Sequence, residues 1–335
     1  MNDILCDIED QKCVLLVLLD LSAAFDTIDH ETLISRLSSR FGVQAKALSW
    51  FESYLSGRTQ SVVIGNSQSE KSNLTFGVPQ GSILGPKQFT GYSAPLADLV
   101  KEKGLKLHLY ADDTQLYLAF EPTDASMNKS IEDLEACISD IRSWMAENFL
   151  KLNDDKTEFM ILGTCHQLQK LSRPFLHIGD SQIKPTDSAR NIGAIFDSNM
   201  TMEKHVDTIC KSAWYHLRRI GSIRKYLDMS STKTLVHAFI TSKLDNLNSL
   251  LYGLPDKLIN KLQRIQNAAA RLVTRTKKCD HITPVLKKLH WLPVRERINY
   301  KILLLNYKAL NDQGPEYIKE LLIPAAGLRS KEKLE

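Results

Sequence analysis

The sequence predicts an α+β protein: an antiparallel sheet backed by helices over about residues 1–200, then a mostly helical, basic region over 201–335. Three observations predict it. Cys13-Val14-Leu15-Leu16-Val17-Leu18-Leu19 is an unbroken apolar run of strand length, which suits a strand covered on both faces at the centre of a sheet. Leu105 to Leu109 and Thr114 to Phe120 alternate apolar and polar residues around Tyr110-Ala111-Asp112-Asp113, the pattern of a tight β-hairpin. From Met202 onward apolar residues instead recur at helical spacing almost without interruption.

The elements follow in order. Asp20 ends the apolar run, either as the polar stop of the strand or as a ligand presented at a sheet edge. Asp29 can cap a helix over about His30–Phe41, in which Leu33, Ile34, Leu37 and Phe41 share a face. A second amphipathic helix spans about Gln44–Leu55, and Gly57 breaks it. Thr59–Ile64 and Lys71–Phe76 flank Gly65-Asn66-Ser67-Gln68 as a hairpin. The Gly/Pro-rich stretch Gly77–Pro86 is either a plain connection or a loop whose bare backbone approaches a ligand, and a helix follows to about Val100. After the 110–113 hairpin come a long helix over about Ser126–Asn148, a strand over Glu158–Leu162, a linker over Gly163–Arg173, a hairpin around Gly179 and a strand over Asn191–Phe196. Helices are then expected near 202–226, 231–248, 255–274, 294–311 and 315–322, with frayed final residues.

A length of 335 residues allows two or more domains. No apolar run approaches the roughly 18 residues of a membrane span, and the acidic N-terminus is unlike a secretory leader. Six scattered cysteines without a close pair point to a reducing compartment, nucleus or cytoplasm; Cys279, His281 and His290 read as packing residues rather than a zinc set. Residues 1–200 carry 18 Lys+Arg against 27 Asp+Glu, and residues 201–335 carry 25 against 12. That asymmetry is either a metal-binding part joined to a part that holds a polyanion, or a helical surface rich in lysine.

Two acidic strand ends, Asp20 and Asp112-Asp113, are separated by the helices and loop needed to bring them together behind one sheet. Paired carboxylates at a turn repel each other unless a hard cation such as Mg²⁺ neutralises them. Two such ions can activate an attacking 3′-hydroxyl and stabilise a leaving pyrophosphate.

With those residues in view, the chain resembles the reverse transcriptase of a non-LTR (LINE-type) retrotransposon. Leu18–Asp26 resembles polymerase motif A, Gly77–Ser82 motif B, Tyr110–Asp113 motif C and Leu152–Thr157 motif D. Downstream, Leu250–Pro255 and Leu289–Val294 resemble segments that such elements carry. The resemblance implies a right-hand polymerase palm, with fingers largely missing, followed by a helical thumb and C-terminal region. It implies an RNA-directed DNA polymerase that transfers nucleotides from deoxynucleoside triphosphates to a DNA primer on an RNA template. Asp20 and Asp112 would ligate two Mg²⁺ ions, with Asp113 as an accessory carboxylate. Phe25 would lie under the incoming sugar and exclude a 2′-hydroxyl, Gln80 and Gly81 would lie along template and nucleotide, and Lys156 would meet the pyrophosphate unless it is a plain surface lysine.

The chain also departs from the family. Only nineteen residues precede Asp20, Lys87-Gln88 puts polar groups where an apolar helix is usual, and Asp245-Asn246-Leu247-Asn248 replaces Asp-Tyr-Cys-Asn. These departures fit a truncated copy. They leave a second reading, a non-catalytic nucleic-acid-binding remnant, and a third, an RNA-directed RNA polymerase or group II intron-type protein.

Overall fold

The computed structural model describes residues 1–79 and 81–323; Gln80 and the final stretch through Glu335, where fraying was expected, lie outside the described residues. The chain divides into two compact units, one of Met1–Gly193 with Asp197–Met200, the other of Ala194–Phe196 with Thr201 onward.

The first unit contains α1 (Asn2–Glu9), β1 (Cys13–Ser22), α2 (His30–Ser39), α3 (Ala45–Leu55), the short strands β2 (Thr59–Gln60), β3 (Val63–Ile64), β4 (Ser67–Gln68) and β5 (Ser72–Asn73), then α4 (Gly85–Ser93) and α5 (Leu96–Glu102). It continues with β6 (Lys106–Tyr110), β7 (Asp113–Phe120), α6 (Asp124–Glu147), β8 (Lys151–Leu162), α7 (Cys165–Leu168), β9 (Leu176–Ile178), β10 (Ser181–Ile183) and β11 (Ser188–Asn191). Its main sheet has the order β6-β7-β1-β8 and is antiparallel throughout.

The apolar run makes β1 central because both of its faces are buried from Cys13 to Val17. Leu15, Val17 and Leu19 pack into one core with Leu134, Ile138 and Ile141 of α6, whose 3-4 spacing gives that helix its inward stripe. Truncating such a leucine costs about 2–5 kcal/mol, so β1 anchors what its far end presents. Asp29 caps α2 as expected, its carboxylate accepting from Thr32 N at 2.8 Å, a contact worth about 1 kcal/mol.

Local structure departs from expectation where tertiary contacts decide. The hairpin of residues 59–76 splits into two short ladders, β2 with β5 and β3 with β4, so Ser67 and Gln68 pair rather than turn. The linker after Gly163 contains α7, closed by a reciprocal capping box between Thr164 and Gln167. The stretch 191–196 is not one strand; it turns at Ile192-Gly193, both at positive φ, between β11 and β12 (Ala194–Asp197). Helix α1 was not anticipated at all. It docks through side chains: Tyr117 Oη donates to Asp3 at 2.8 Å, and Lys106 pairs with Asp7 at 3.1 Å.

The departure at Lys87-Gln88 has a physical cost. Lys87 is exposed, but Gln88 is 2% exposed and neither atom of its amide has a hydrogen-bond partner among the described residues. A buried polar group left unpaired costs about 1–3 kcal/mol. The volume-matched Gln88→Met is therefore expected to stabilise the chain by about 1–2 kcal/mol, read as a higher urea midpoint at unchanged slope; a lower midpoint would show that the amide is paired in solution.

The second unit is helical: α8 (Glu203–Ile223), α9 (Met229–Val236), a π-helical turn (His237–Thr241), α10 (Ser242–Asp245), α11 (Asp256–Thr274), α12 (Ile282–Leu289), α13 (Val294–Leu310) and α14 (Glu316–Glu320). Helix α12 was also unanticipated; Pro284 sits in its first turn, where a proline is tolerated. Ile209, Leu217, Leu262, Ile265, Trp291 and Ile298 belong to one buried core. Arg297 on α13 binds Asp245 on α10 through Nε at 2.8 Å and Nη2 at 2.5 Å, giving the Asp245–Asn248 stretch a structural role. Cys279, His281 and His290 are exposed, so they are not the packing residues expected.

Candidate active site

The site grows from the end of β1. Pairing between β1 and β7 runs to Leu19↔Thr114, one step short of Asp20 and Asp113, so the register leads those two residues toward each other on neighbouring strands. On the other side of Asp113, Tyr110↔Asp113 closes the β6–β7 hairpin, leaving Ala111 and Asp112 as its two-residue tip. Ala111 holds φ +53°, the left-handed conformation that the tight turn requires. Asp113 is therefore the first residue of a strand, while Asp112 is at the turn.

Electrostatics register the same convergence. The Asp113 carboxyl is held above its usual pKa, first by partial desolvation and then by the negative charges of Asp112 and Asp20. Because the folded pKa exceeds the unfolded one, ionising Asp113 opposes folding, and the stability it contributes at low pH is lost as pH rises through the folded value. Asp113→Asn is thus expected to raise the melting temperature at pH 7 and to lose that advantage near pH 3; a pH-independent difference would contradict the coupling.

Asp20 has a further mark. Its Oδ2 is buried and accepts no hydrogen bond among the described residues, and the nearest cation is Lys156 Nζ at 3.3 Å. Among the described residues no three carboxylate, imidazole or thiol groups gather into a ready metal cage. A desolvated oxygen without a donor beside mutually repelling carboxylates is a donor set that fits a hard cation.

A cavity of about 430 Å³ opens beside these groups, and Phe25, Pro79, Gly81, Ser82 and Asp112 line it. The Phe25 ring packs against Phe89 of α4, with centroids 5.3 Å apart. The loop that carries Gly81 is stitched to the segment after β1: Gly77 N donates to Ile28 O and Val78 N to Phe25 O, both at 2.8 Å. Gly77 has φ +84°, and a Cβ there would stand 2.8 Å from Asp26 O, so only glycine allows the two segments to cross this closely. Of the residues the sequence singled out, Phe25, Gly81 and Asp112 share the cavity, Asp20 and Asp113 adjoin through the sheet, and Lys156 contacts Asp20. Gln80 lies outside the described residues. Pro79 and Ser82 were not singled out, although the Gly/Pro-rich loop carried their signal. A second cavity of about 690 Å³, lined by Asp26, Arg58, Phe76 and Gly77 among others, also borders Pro79.

A family model for reverse transcriptase (RNA-dependent DNA polymerase) matches residues 3–196. The chain belongs to the reverse transcriptase family. Its relatives include the probable RNA-directed DNA polymerase from transposon BS of Drosophila melanogaster, 26% identical over 87% of this chain and 32% of the relative. Another is the probable RNA-directed DNA polymerase from transposon X-element of the same species, 27% identical over 84% of this chain and 30% of the relative. The RNA-directed DNA polymerase from mobile element jockey of Drosophila funebris is 25% identical over 57% of this chain and 20% of its own length. This reverse transcriptase is thus of the LINE type that its motifs resemble, and it spans about a third of the length of the first two of these relatives. Among solved structures, apo telomerase from Candida tropicalis aligns with a TM-score of 0.48 and 12% identity over 89% of this chain and 49% of that one. Among the described residues no helix is long and apolar enough to cross a membrane.

Proposed function

We propose that this chain supplies the palm and a nucleic-acid-holding helical region of an RNA-directed DNA polymerase, extending a DNA primer on an RNA template with deoxynucleoside triphosphates. The observation that carries the reading is the register that leads Asp20 toward Asp113, with Asp112 facing the cavity that Phe25 and Gly81 line. Asp20 and Asp112 would hold two Mg²⁺ ions, and Asp113 would add negative potential beside them. When bound, the ions supply charge neutralisation at the attacking 3′-hydroxyl and at the leaving pyrophosphate. The chain's own part is positioning. Phe25 would form an aromatic wall for the sugar, Gly81 would allow backbone to approach the nucleotide, and Lys156, which contacts Asp20, would meet the negative charge of the pyrophosphate. The cavity beyond Pro79 suits the template strand.

In the second unit, Lys211, Arg218, Arg219 and Lys225 are exposed along α8 and its C-terminal end. Trp214 and Tyr215 are exposed among them, and Arg219 lies over the Tyr215 ring at 5.8 Å. Positive charge interleaved with aromatic faces suits a nucleic-acid backbone and its bases. The test is primer extension by the full chain on an RNA template with Mg²⁺. Template-dependent addition of deoxynucleotides is expected. Salt-sensitive RNA binding without any addition would instead favour the non-catalytic remnant.

A further inference from the structure

We propose that Lys156 is a built-in counter-ion for Asp20, which a divalent cation must displace in order to load the site. The inference rests on Asp20 being a ligand of that site.

The placement of Lys156 comes from an irregularity in the sheet. Strand β8 pairs with β1 from Val14↔Leu162 to Leu18↔Glu158, then resumes at Asp20↔Asn153. Between those points Asp154 to Thr157 stand against Leu19 alone, so β8 bulges away from its partner. Both shoulders of the bulge are fixed. Thr157 Oγ1 donates to Asn153 O at 3.1 Å, and Arg142 on α6 donates to Asp154 at 2.6 Å. Within that arch, Lys156 brings its ammonium to 3.3 Å from Asp20 Oδ2.

The two partners differ in environment. The Asp20 side chain is 31% exposed and its Oδ2 is buried, whereas the Lys156 side chain is 67% exposed. The buried Oδ2 therefore has the ammonium rather than water beside it, while Lys156 can leave for solvent at little cost. Asp113, one register step away on the neighbouring strand, carries a carboxyl that feels the negative charges of Asp112 and of Asp20. A single flexible cation on an exposed stem is the arrangement that quiets such a site without filling it. A divalent ion carries twice the charge and accepts several oxygens at once, so it can take Oδ2 from the ammonium.

The ion pair therefore competes with metal, and removing the lysine should tighten metal binding rather than weaken it. The experiment titrates the full chain with Mn²⁺ at low ionic strength and reads the free ion by electron paramagnetic resonance, which requires no turnover. Lys156→Met is expected to bind Mn²⁺ about fivefold more tightly than the unchanged chain, the upper range for an exposed ion pair. Lys156→Arg keeps the charge and should bind as the unchanged chain does, and Asp20→Asn should lose the binding. Unchanged affinity in Lys156→Met with lost binding in Asp20→Asn would overturn the counter-ion and leave the site itself standing. Equal tightening in Lys156→Arg would also overturn it, because charge would not be the cause. Undiminished binding in Asp20→Asn would overturn both the inference and the ligand role on which it rests.

Discussion

Asp112→Ala is expected to lower nucleotide addition by roughly a thousandfold or more, the scale on which removal of one preorganised electrostatic group acts, while the chain stays folded. The two parts of that expectation have separate grounds. Asp112 stands at a two-residue turn beyond the last pair of β6 and β7, so no ladder bond depends on its side chain. It also lines the cavity that holds Phe25 and Gly81, so its carboxylate is lost from the place where metal and triphosphate charge would meet. Single-turnover extension of a labelled primer, with melting temperature as the control for folding, measures both. Extension at an unaltered rate would remove the hairpin from the chemistry.

Phe25→Ala should relax the choice between deoxy- and ribonucleotides by about tenfold to a hundredfold, the range open to a pocket that selects by shape. The ring is half-buried and braced by Phe89 at 5.3 Å, and its backbone carbonyl is tied to Val78 N at 2.8 Å. A side chain supported on both counts makes a firm wall, and its loss opens space where a 2′-hydroxyl would otherwise clash. Competition between matched deoxy- and ribonucleoside triphosphates gives the ratio directly. An unchanged ratio would mean that another residue forms the wall, and strong use of ribonucleotides by the unaltered chain would favour an RNA-directed RNA polymerase.

Much of this was legible in the chain because the relevant signals are local. Seven consecutive apolar residues mark β1, alternation marks β6 and β7, and the Asp29-His30-Glu31-Thr32 start marks the capped helix. The acidic pair at the hairpin and the Gly/Pro loop were visible for the same reason. What escaped depends on partners distant in sequence. Helix α1 is eight residues long, too short to be stable by itself, and it is held by Tyr117 and Lys106 more than a hundred residues away or nearly so. The strand expected at 191–196 fails because Ile192 takes a positive φ that β-branched residues rarely adopt. The contact between Lys156 and Asp20 could not be read from spacing, since it exists only because β8 bulges opposite Leu19. Sequence motifs therefore located the acidic groups, while the bulge that sets a cation over one of them is a property of the sheet.

The central claim is that Asp20 and the 111–114 turn form one divalent-cation site, although some ninety residues separate them in sequence. Loading the chain with Fe²⁺ in place of Mg²⁺ and adding ascorbate and peroxide cuts the backbone wherever the ion is held. Paired breaks close to Asp20 and close to Tyr110–Thr114, both suppressed by excess Mg²⁺ and both lost in Asp20→Asn, are the predicted result. Cleavage at only one of the two segments, or at neither, would contradict it.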